Sequence, residues 1–168
     1  METQELSSAA RSVVAQVGGS LVSIGQDGRG SGVVIASGKV LTNAHNLRDR
    51  TTLVTFADGR AEQGSVAGVD DDGDLVVLDV DTTSVAAISW ADRAPEAGDI
   101  VFALSRGGQR TRVSFGMISS VDLAFAGPRG RQVHGGVEHT APLVRGSSGG
   151  PIVDADGRVL GLNTHRTG

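Results

Sequence analysis

Ser148, near the C-terminal end, lies in the segment Gly146–Pro151 (GSSGGP), which also contains a second serine, three glycines and a proline. Glycine permits backbone angles that are closed to other residues and lets a second segment approach closely. A serine hydroxyl is a weak nucleophile alone and a strong one when a histidine removes its proton. Ser148 therefore belongs either to a plain glycine-rich turn or to a catalytic site. The second interpretation requires a histidine and an orienting carboxylate elsewhere in the chain.

A histidine and an aspartate each occupy a strand boundary earlier in the chain. His45 ends the apolar segment Leu41–His45 (LTNAH), where a side chain can be held at the rim of a core. Asp74 begins the segment Asp74–Leu78 (DLVVL), so its backbone enters a buried strand. Taken singly, His45 could cap a strand and Asp74 could initiate one. Together with Ser148 they give the chain order His-Asp-Ser. This is the order in chymotrypsin-like hydrolases, and it differs from the Ser-Asp-His order of α/β-hydrolases.

The elements that must position these side chains are predicted to be short strands after one helix. Apolar residues at three- and four-residue spacing predict a helix over 4–17. Turn residues then bound about six strands in the first half and about five in the second, which predicts an all-β fold. The predicted strands are 21–24, 32–36, 39–43, 51–56, 60–69 and 74–80, then, after a connector, 100–105, 112–121, 132–140, 151–154 and 158–163.

The composition disfavours several functional classes. The chain has 168 residues and a net charge of −4, whereas a nucleic-acid-binding surface is expected to be basic. It contains no cysteine, so we expect no disulfide and no cysteine-ligated metal, and no motif indicates a cofactor. No apolar run approaches the roughly 20 residues that cross a bilayer, and no signal-peptide pattern follows the first methionine.

Five segments, in order, resemble motifs of trypsin-like (chymotrypsin-fold) serine proteases of the HtrA/Deg type. They are Gly30–Ile35 (GSGVVI), Leu41–His45, Asp74–Leu78, Gly146–Pro151 and Gly161–Thr164 (GLNT). The resemblance runs from about residue 8 to residue 164, which is nearly the whole chain. Two departures stand out. Ser147 replaces the usual asparagine, and Asn46 and Leu47 replace the usual pair of valines, a change that we expect to affect packing only slightly.

The resemblance implies two six-stranded antiparallel β-barrels with the site between them. We expect one trypsin-like peptidase domain over 1–168, with an N-terminal barrel at about 19–80, a connector at 81–98 and a C-terminal barrel at about 99–168. Because only five strands are predicted in the second half, we expect the last strand of that barrel to be missing. We also expect the chain to lack the PDZ domain that usually follows in HtrA-type proteins.

The resemblance also implies roles for individual residues. Ser148 is implied to be the nucleophile, His45 the general base and then acid, and Asp74 the group that orients His45. The backbone N–H groups of Gly146 and Ser148 are implied to form the oxyanion hole.

Substrate contacts are implied for two further groups of residues. The pocket for the residue before the cut is expected to be lined by Pro142, Leu143, Val144 and Arg145. An edge to which an extended peptide adds as a strand is expected at Asn163, Thr164, His165 and Arg166. Since no acidic residue lies at the pocket base, we expect small or medium aliphatic residues before the cut. Arg145, His165 and Arg166 leave an acidic preference open.

By resemblance, the chain is expected to be a serine endopeptidase acting on unfolded or misfolded proteins, as in HtrA-like protein quality control. The alternative is a catalytically inactive trypsin-fold domain with a binding or regulatory role. The implied partners are polypeptide substrates and other copies of the chain in a trimer, with no nucleic acid and no membrane segment. The implied location is periplasmic, extracellular or membrane-anchored outside the cytoplasm. Without a signal peptide, a cytoplasmic location stays open.

Overall fold

The N-terminal helix forms where the apolar spacing predicts it. The computed structural model describes residues 2–26, 29–47, 50–70, 73–107, 110–126 and 132–164, with the backbone alone described at 122–126 and 132–136. Helix α1 (Thr3–Val17) buries Val13 and Val17. A 3₁₀ turn at Gly18–Ser20 follows and leads into the first strand.

The first half of the chain forms a closed six-stranded barrel. Its strands are β1 (Leu21–Ile24), β2 (Gly30–Ala36), β3 (Lys39–Asn43), β4 (Thr51–Phe56), β5 (Ala61–Asp70) and β6 (Leu75–Asp79). Their order around the barrel is β1-β2-β3-β6-β5-β4, and the neighbouring strands pair in antiparallel fashion. The six strands predicted for this half all form.

The second half contributes five strands to an antiparallel sheet. They are β7 (Ile100–Gly107), β8 (Arg110–Ala126), β9 (Gln132–His139), β10 (Pro151–Val153) and β11 (Val159–Leu162). Their order is β11-β10-β7-β8-β9, and within the described residues this sheet is a partial, open barrel. Strand β8 is longer than predicted because it pairs first with β7 and then with β9. The prediction of an all-β fold with a short N-terminal helix is confirmed.

Successive side chains of a strand point to opposite faces, and here the two faces serve different cores. In β7, Val101 belongs to the core of the second sheet, whereas Phe102 belongs to a core shared by both sheets. In β2, Val33 lies in the shared core and Val34 inside the barrel. Helix α1 adds Val13 to the shared core. This core fixes the barrel against the sheet, and with it the distance between residues that the two halves contribute to a site.

Backbone hydrogen bonds also attach the connector, residues 81–98, to both halves of the molecule. Ile88 donates its N–H to Val34 O at 2.9 Å, and Ala91 donates to Val159 O at 2.9 Å. The segment thus bonds to one strand of each half.

Across the ranges that the structure describes, no helix is long and apolar enough to pass through a bilayer.

Candidate active site

Asp74 lies directly before β6 and is only 5% exposed. Its φ of 56° is in the left-handed region, which an aspartate tolerates better than most residues. The carboxylate faces His45: Oδ1 accepts the backbone N–H of His45 at 2.9 Å, and Oδ2 makes a short hydrogen bond with the ring Nδ1. Two bonds to one residue fix both the position and the orientation of the imidazole.

His45 reaches from the barrel to the serine of the second half. It lies in the 3₁₀ turn Ala44–Asn46 at the end of β3, and its side chain is 30% exposed. Its ring Nε2 is 2.8 Å from Ser148 Oγ. Because Nδ1 faces the carboxylate of Asp74, the proton of the neutral ring lies on Nδ1 and Nε2 has the free lone pair. The ring is thus oriented to accept a proton from Ser148.

Asn43 gives the serine hydroxyl a second neighbour. This fully buried residue places Oδ1 2.6 Å from Ser148 Oγ. Its Nδ2 donates to Asp74 O and to Thr164 Oγ1, both at 3.1 Å, which fixes the amide orientation. A hydroxyl has one proton, so Ser148 donates either to Asn43 or to His45 at any moment. Nucleophilic attack requires the orientation towards His45.

The glycines beside the serine are required by close backbone approaches. Gly149 has a φ of 91°, and a Cβ there would lie 1.9 Å from Ser31 O. A Cβ on Gly150 would lie 2.1 Å from Leu104 O. The nucleophile loop, residues 141–150, therefore packs directly on the backbone of both halves of the molecule. Gly146 has a φ of 88°, where a side chain would also be strained.

The barrel holds the nucleophile loop through two polar residues. Ser31 of β2 donates its N–H to Ser148 O at 2.7 Å and its hydroxyl to Gly146 O at 2.7 Å. Asn46 is 3% exposed, and its Nδ2 donates to Ser148 O at 3.0 Å. A Cβ on Gly30 would lie 2.3 Å from that Nδ2, so the glycine makes room for the amide. The expectation that Asn46 is a slight packing change is therefore wrong.

Two backbone donors of the nucleophile loop are left without a protein acceptor. In the described part of the chain, the N–H groups of Gly146 and Ser148 donate to no hydrogen bond. The N–H of Ser147, between them, donates to Val144 O at 3.1 Å, and that of Gly149 donates to Asn163 O at 2.7 Å. Donors at these two positions are what the predicted oxyanion hole requires.

Two cavities, of about 320 Å³ and about 260 Å³, share four lining residues, and the smaller one is also lined by Ser148. The shared residues are Leu143, Val144, Ser147 and Asn163. Pro142 lines only the larger cavity, while the smaller one also contains Arg145, Gly146 and Thr164 together with His45 and Ser148. The predicted positions His165 and Arg166 lie outside the described residues. No cluster of potential metal ligands occurs among the residues that the structure covers.

Four polar residues around the site were given no role by the sequence. Ser31 and Asn43 lie inside segments of the HtrA/Deg resemblance, so their motifs were a usable signal. Asn46 stood out only as a departure from the usual valine. His139, which bonds to Asn163 Oδ1 at 2.8 Å, has no local pattern that marks it.

The fold and the site together define a class. A closed barrel supplies a histidine and a buried aspartate, a second β-sheet supplies a serine, and the three meet where the halves join. This is the arrangement of trypsin-like peptidase domains. Residues 30–162 match the family model described as the trypsin-like peptidase domain, so the chain belongs to that family.

Comparisons with individual proteins agree with this assignment. The chain is 34% identical over 146 residues to HhoB of Synechocystis sp., covering 83% of this chain and 35% of HhoB. It is 33% identical over 143 residues to the serine endoprotease DegS of Escherichia coli K12, covering 80% of this chain and 39% of DegS. The chain thus spans between one third and two fifths of the length of these relatives.

A solved structure shows the same likeness. The MamO protease domain from Magnetospirillum magneticum superposes with a TM-score of 0.83 at 26% identity, over 91% of this chain and 87% of that one. Taken with the relatives of the HtrA/Deg type, the resemblance seen in the sequence motifs is confirmed.

Proposed function

We propose that this chain is the catalytic domain of a serine endopeptidase that hydrolyses peptide bonds of unfolded or misfolded proteins. One observation carries the proposal: Ser148 Oγ lies 2.8 Å from His45 Nε2, while the opposite ring nitrogen of His45 bonds to the buried carboxylate of Asp74. A serine with an aligned base, and a base with an aligned carboxylate, is the arrangement that activates a hydroxyl for acyl transfer.

The geometry supports the following sequence of steps. His45 Nε2 accepts the proton of Ser148 as Oγ bonds to the scissile carbonyl carbon, and the carboxylate of Asp74 stabilises the imidazolium that forms. The carbonyl oxygen becomes an oxyanion, which the N–H groups of Gly146 and Ser148 bind. Each such donor contributes about 3–4 kcal/mol to the transition state. His45 then protonates the leaving amine, and water hydrolyses the acyl-enzyme by the reverse proton transfers.

The proposed substrate is an extended polypeptide. Thr164 lies beside the smaller cavity, so a peptide strand that pairs with the backbone next to it would bring its scissile bond to Ser148. Unfolded chains offer such strands, whereas folded proteins rarely do. Because one matched relative carries "periplasmic" in its name, we also propose a location outside the cytoplasm. The proposed oligomer is the trimer implied by the HtrA/Deg resemblance.

Covalent labelling tests the proposed chemistry directly. We expect a fluorophosphonate probe to label the protein at Ser148, and we expect the Ser148→Ala variant to remain unlabelled. Ser119→Ala, which removes an exposed serine of β8, is the matched control and should label like the parent. Cleavage of unfolded casein but not of a folded protein would support the substrate class.

A different outcome would favour the inactive alternative. If the parent protein binds unfolded casein but shows no Ser148-dependent labelling and no cleavage, the domain is a binding or regulatory module. Cleavage of casein that persists in Ser148→Ala would contradict the proposed nucleophile.

A further inference from the structure

One residue of the barrel, Ser31, binds the carbonyl groups of both residues that are proposed to hold the oxyanion. Its hydroxyl donates to Gly146 O and its backbone N–H donates to Ser148 O, each at 2.7 Å. Ser31 is fully buried in β2, so both bonds are shielded from bulk water. The carbonyls of Gly146 and Ser148 are therefore fixed on the barrel, whereas their N–H groups meet no acceptor among the described residues.

The direction of the hydroxyl bond follows from a third contact of Ser31. The backbone N–H of Arg106 in β7 lies 2.9 Å from Ser31 Oγ. A backbone N–H can only donate, so Oγ accepts this bond and uses its own proton for Gly146 O, which can only accept. The position of Gly146 is thus fixed relative to β2 and β7 together, that is, relative to both halves of the molecule.

The two carbonyl contacts of Ser31 are unequal in what they secure. A peptide group is planar, so bonds to its oxygen orient the whole unit. The oxygen of Ser148 accepts two bonds, from the Ser31 N–H and from Asn46 Nδ2 at 3.0 Å. Within the described part of the chain, the oxygen of Gly146 accepts the Ser31 hydroxyl alone. Removing the hydroxyl therefore releases Gly146 O and leaves Ser148 O held.

Gly146 is also the residue of this pair whose backbone turns most easily once it is released. Its φ of 88° lies in the left-handed region, and glycine has access to many other angles as well. The peptide that follows Gly146 has one other bond, from the Ser147 N–H to Val144 O at 3.1 Å, and that bond stays inside the nucleophile loop. The Ser31 hydroxyl is thus the contact that ties this peptide to the barrel.

We infer that Ser31 is a positioning residue for the oxyanion hole, and that its hydroxyl holds the Gly146 N–H where the oxyanion forms. The inference rests on the proposed function and deepens it by naming the barrel residue on which one of the two donors depends. Because Ser31 is fully buried, it acts through Gly146 rather than by contact with the substrate. A donor stabilises an oxyanion best when it is already aimed at it, since no reorganisation is then needed during the reaction.

Two serine-to-alanine variants of the full chain test the inference. Ser31→Ala removes the hydroxyl and leaves the backbone bond to Ser148 O. Ser23→Ala is the matched control, because Ser23 lies opposite Ser31 on β1, is 3% exposed, and donates its hydroxyl at 2.6 Å to the carbonyl of the same Arg106. Each variant removes one buried hydroxyl that bonds to backbone, so both should fold and their urea midpoints should fall by similar amounts. Only Ser31→Ala removes a hydrogen bond to the nucleophile loop.

Cleavage of an internally quenched peptide from casein separates positioning from folding. For Ser31→Ala we expect kcat to fall by about 10- to 100-fold, up to the loss of a complete oxyanion donor, while KM changes little because the contact acts in the transition state. Ser23→Ala should keep the kcat of the parent. Equal losses of kcat in the two variants, or a parental kcat in Ser31→Ala, would overturn the inference and leave the endopeptidase intact.

Backbone dynamics test the same point without turnover, so a failure of the proposed function is told apart from a failure of this inference. In the parent, ¹⁵N relaxation should give an order parameter of about 0.85 for the N–H groups of Gly146 and Ser148, as for rigid backbone. Ser31→Ala should lower the value for Gly146 to about 0.6 or below and leave that for Ser148 unchanged. If the parent is neither labelled nor active, this measurement still decides. A Gly146 N–H that stays as ordered in Ser31→Ala as in Ser23→Ala, at an unchanged chemical shift, would overturn the inference.

Discussion

The two halves of the molecule contribute to the site in different ways. The closed barrel presents His45 and Asp74 from the ends of paired strands, with Asp74 only 5% exposed. The second sheet presents Ser148 from the nucleophile loop, which has no strand of its own and whose hydrogen bonds to Ser31 and Asn46 come from the barrel. The proposed base is therefore positioned by the architecture of one half. The proposed nucleophile is positioned by contacts between the halves, so it should be the more sensitive to small changes.

The largest effect should come from the barrel side. Asp74→Asn keeps the size of the side chain but cannot hold the imidazole in the tautomer that accepts a proton at Nε2. Loss of this tautomer lowers kcat by about 10⁴-fold in triad enzymes. We expect a similar fall in the cleavage rate of an unfolded substrate.

Asp79→Asn is the matched control on the same strand. Asp79 lies at the exposed end of β6, where it pairs with Lys39. Exposed ion pairs contribute little, so the rate should stay within about twofold of the parent. Comparable losses in the two variants would mean that β6 is distorted rather than that the carboxylate of Asp74 acts on His45.

The next largest effect should come from the contact between the halves. Gly149→Ala places a methyl group 1.9 Å from Ser31 O at a φ of 91°. The loop must shift, so we expect the fluorophosphonate labelling rate to fall by about 100-fold or more. The free energy of unfolding should fall by about 2–5 kcal/mol, measured by urea denaturation.

Gly59→Ala separates the backbone cost from the steric clash. Gly59 also has a φ of 91°, but a Cβ there meets nothing within 4 Å. It should lose only about 1–2 kcal/mol of stability and none of the labelling rate. If Gly149→Ala also loses only about 1–2 kcal/mol and none of the labelling rate, the contact between Gly149 and Ser31 does not position the nucleophile loop.

A smaller effect is expected for the polar contact from the barrel. Asn46→Val removes the buried amide that donates to Ser148 O and to Thr42 Oγ1, each at 3.0 Å. Ser31 still donates to Ser148 O, so the loop should loosen rather than detach. We expect kcat/KM to fall about tenfold and the free energy of unfolding to fall by about 1–3 kcal/mol. Leu47→Val, at the neighbouring position where valine is also usual, should leave kcat/KM unchanged. It should lower the free energy of unfolding by only about 0.5–1.5 kcal/mol, since Leu47 packs against the barrel core. A fully active Asn46→Val would show that Asn46 does not restrain the nucleophile loop.

Local patterns account for what the sequence predicted well. Helix α1 follows from its apolar spacing, and the barrel strands follow from short apolar runs bounded by turn residues, which is the pattern of a strand whose two faces lie in two cores. Asp74 was identified for a local reason too, since an aspartate directly before an apolar strand lies at the barrel rim. These features can be predicted from the local sequence alone, without knowing which segments pack against them.

Contacts across the two halves were not predictable in the same way. Asn46 and Ser148 are 102 residues apart, and the bond between them exists only because the shared core brings the halves together. His139 ends β9 and Asn163 directly follows β11, and the two residues bond although these strands lie at opposite edges of the second sheet, so no sequence spacing indicates the contact. Strand β8 was predicted too short because its C-terminal part pairs with β9, a partner that the local sequence of β8 does not reveal.

The smallest effect should arise where the second sheet begins. Asp99 precedes β7, and hydrogen bonds from the Arg93 guanidinium and from the Glu96 N–H, both at 2.8 Å, hold the pKa of its carboxyl below its usual value. A carboxyl with a lowered pKa stabilises the fold above its unfolded pKa, near pH 4, and loses that contribution as the pH falls through the folded value. The thermal midpoint of Asp99→Asn should therefore lie slightly below that of the parent at pH 7 and converge with it on acidification. Asp92→Asn, an exposed carboxyl of the same segment, should match the parent at neutral pH. A gap for Asp99→Asn that widens towards acid would mean that the two hydrogen bonds favour the protonated carboxyl, which would reverse the sign of the contribution.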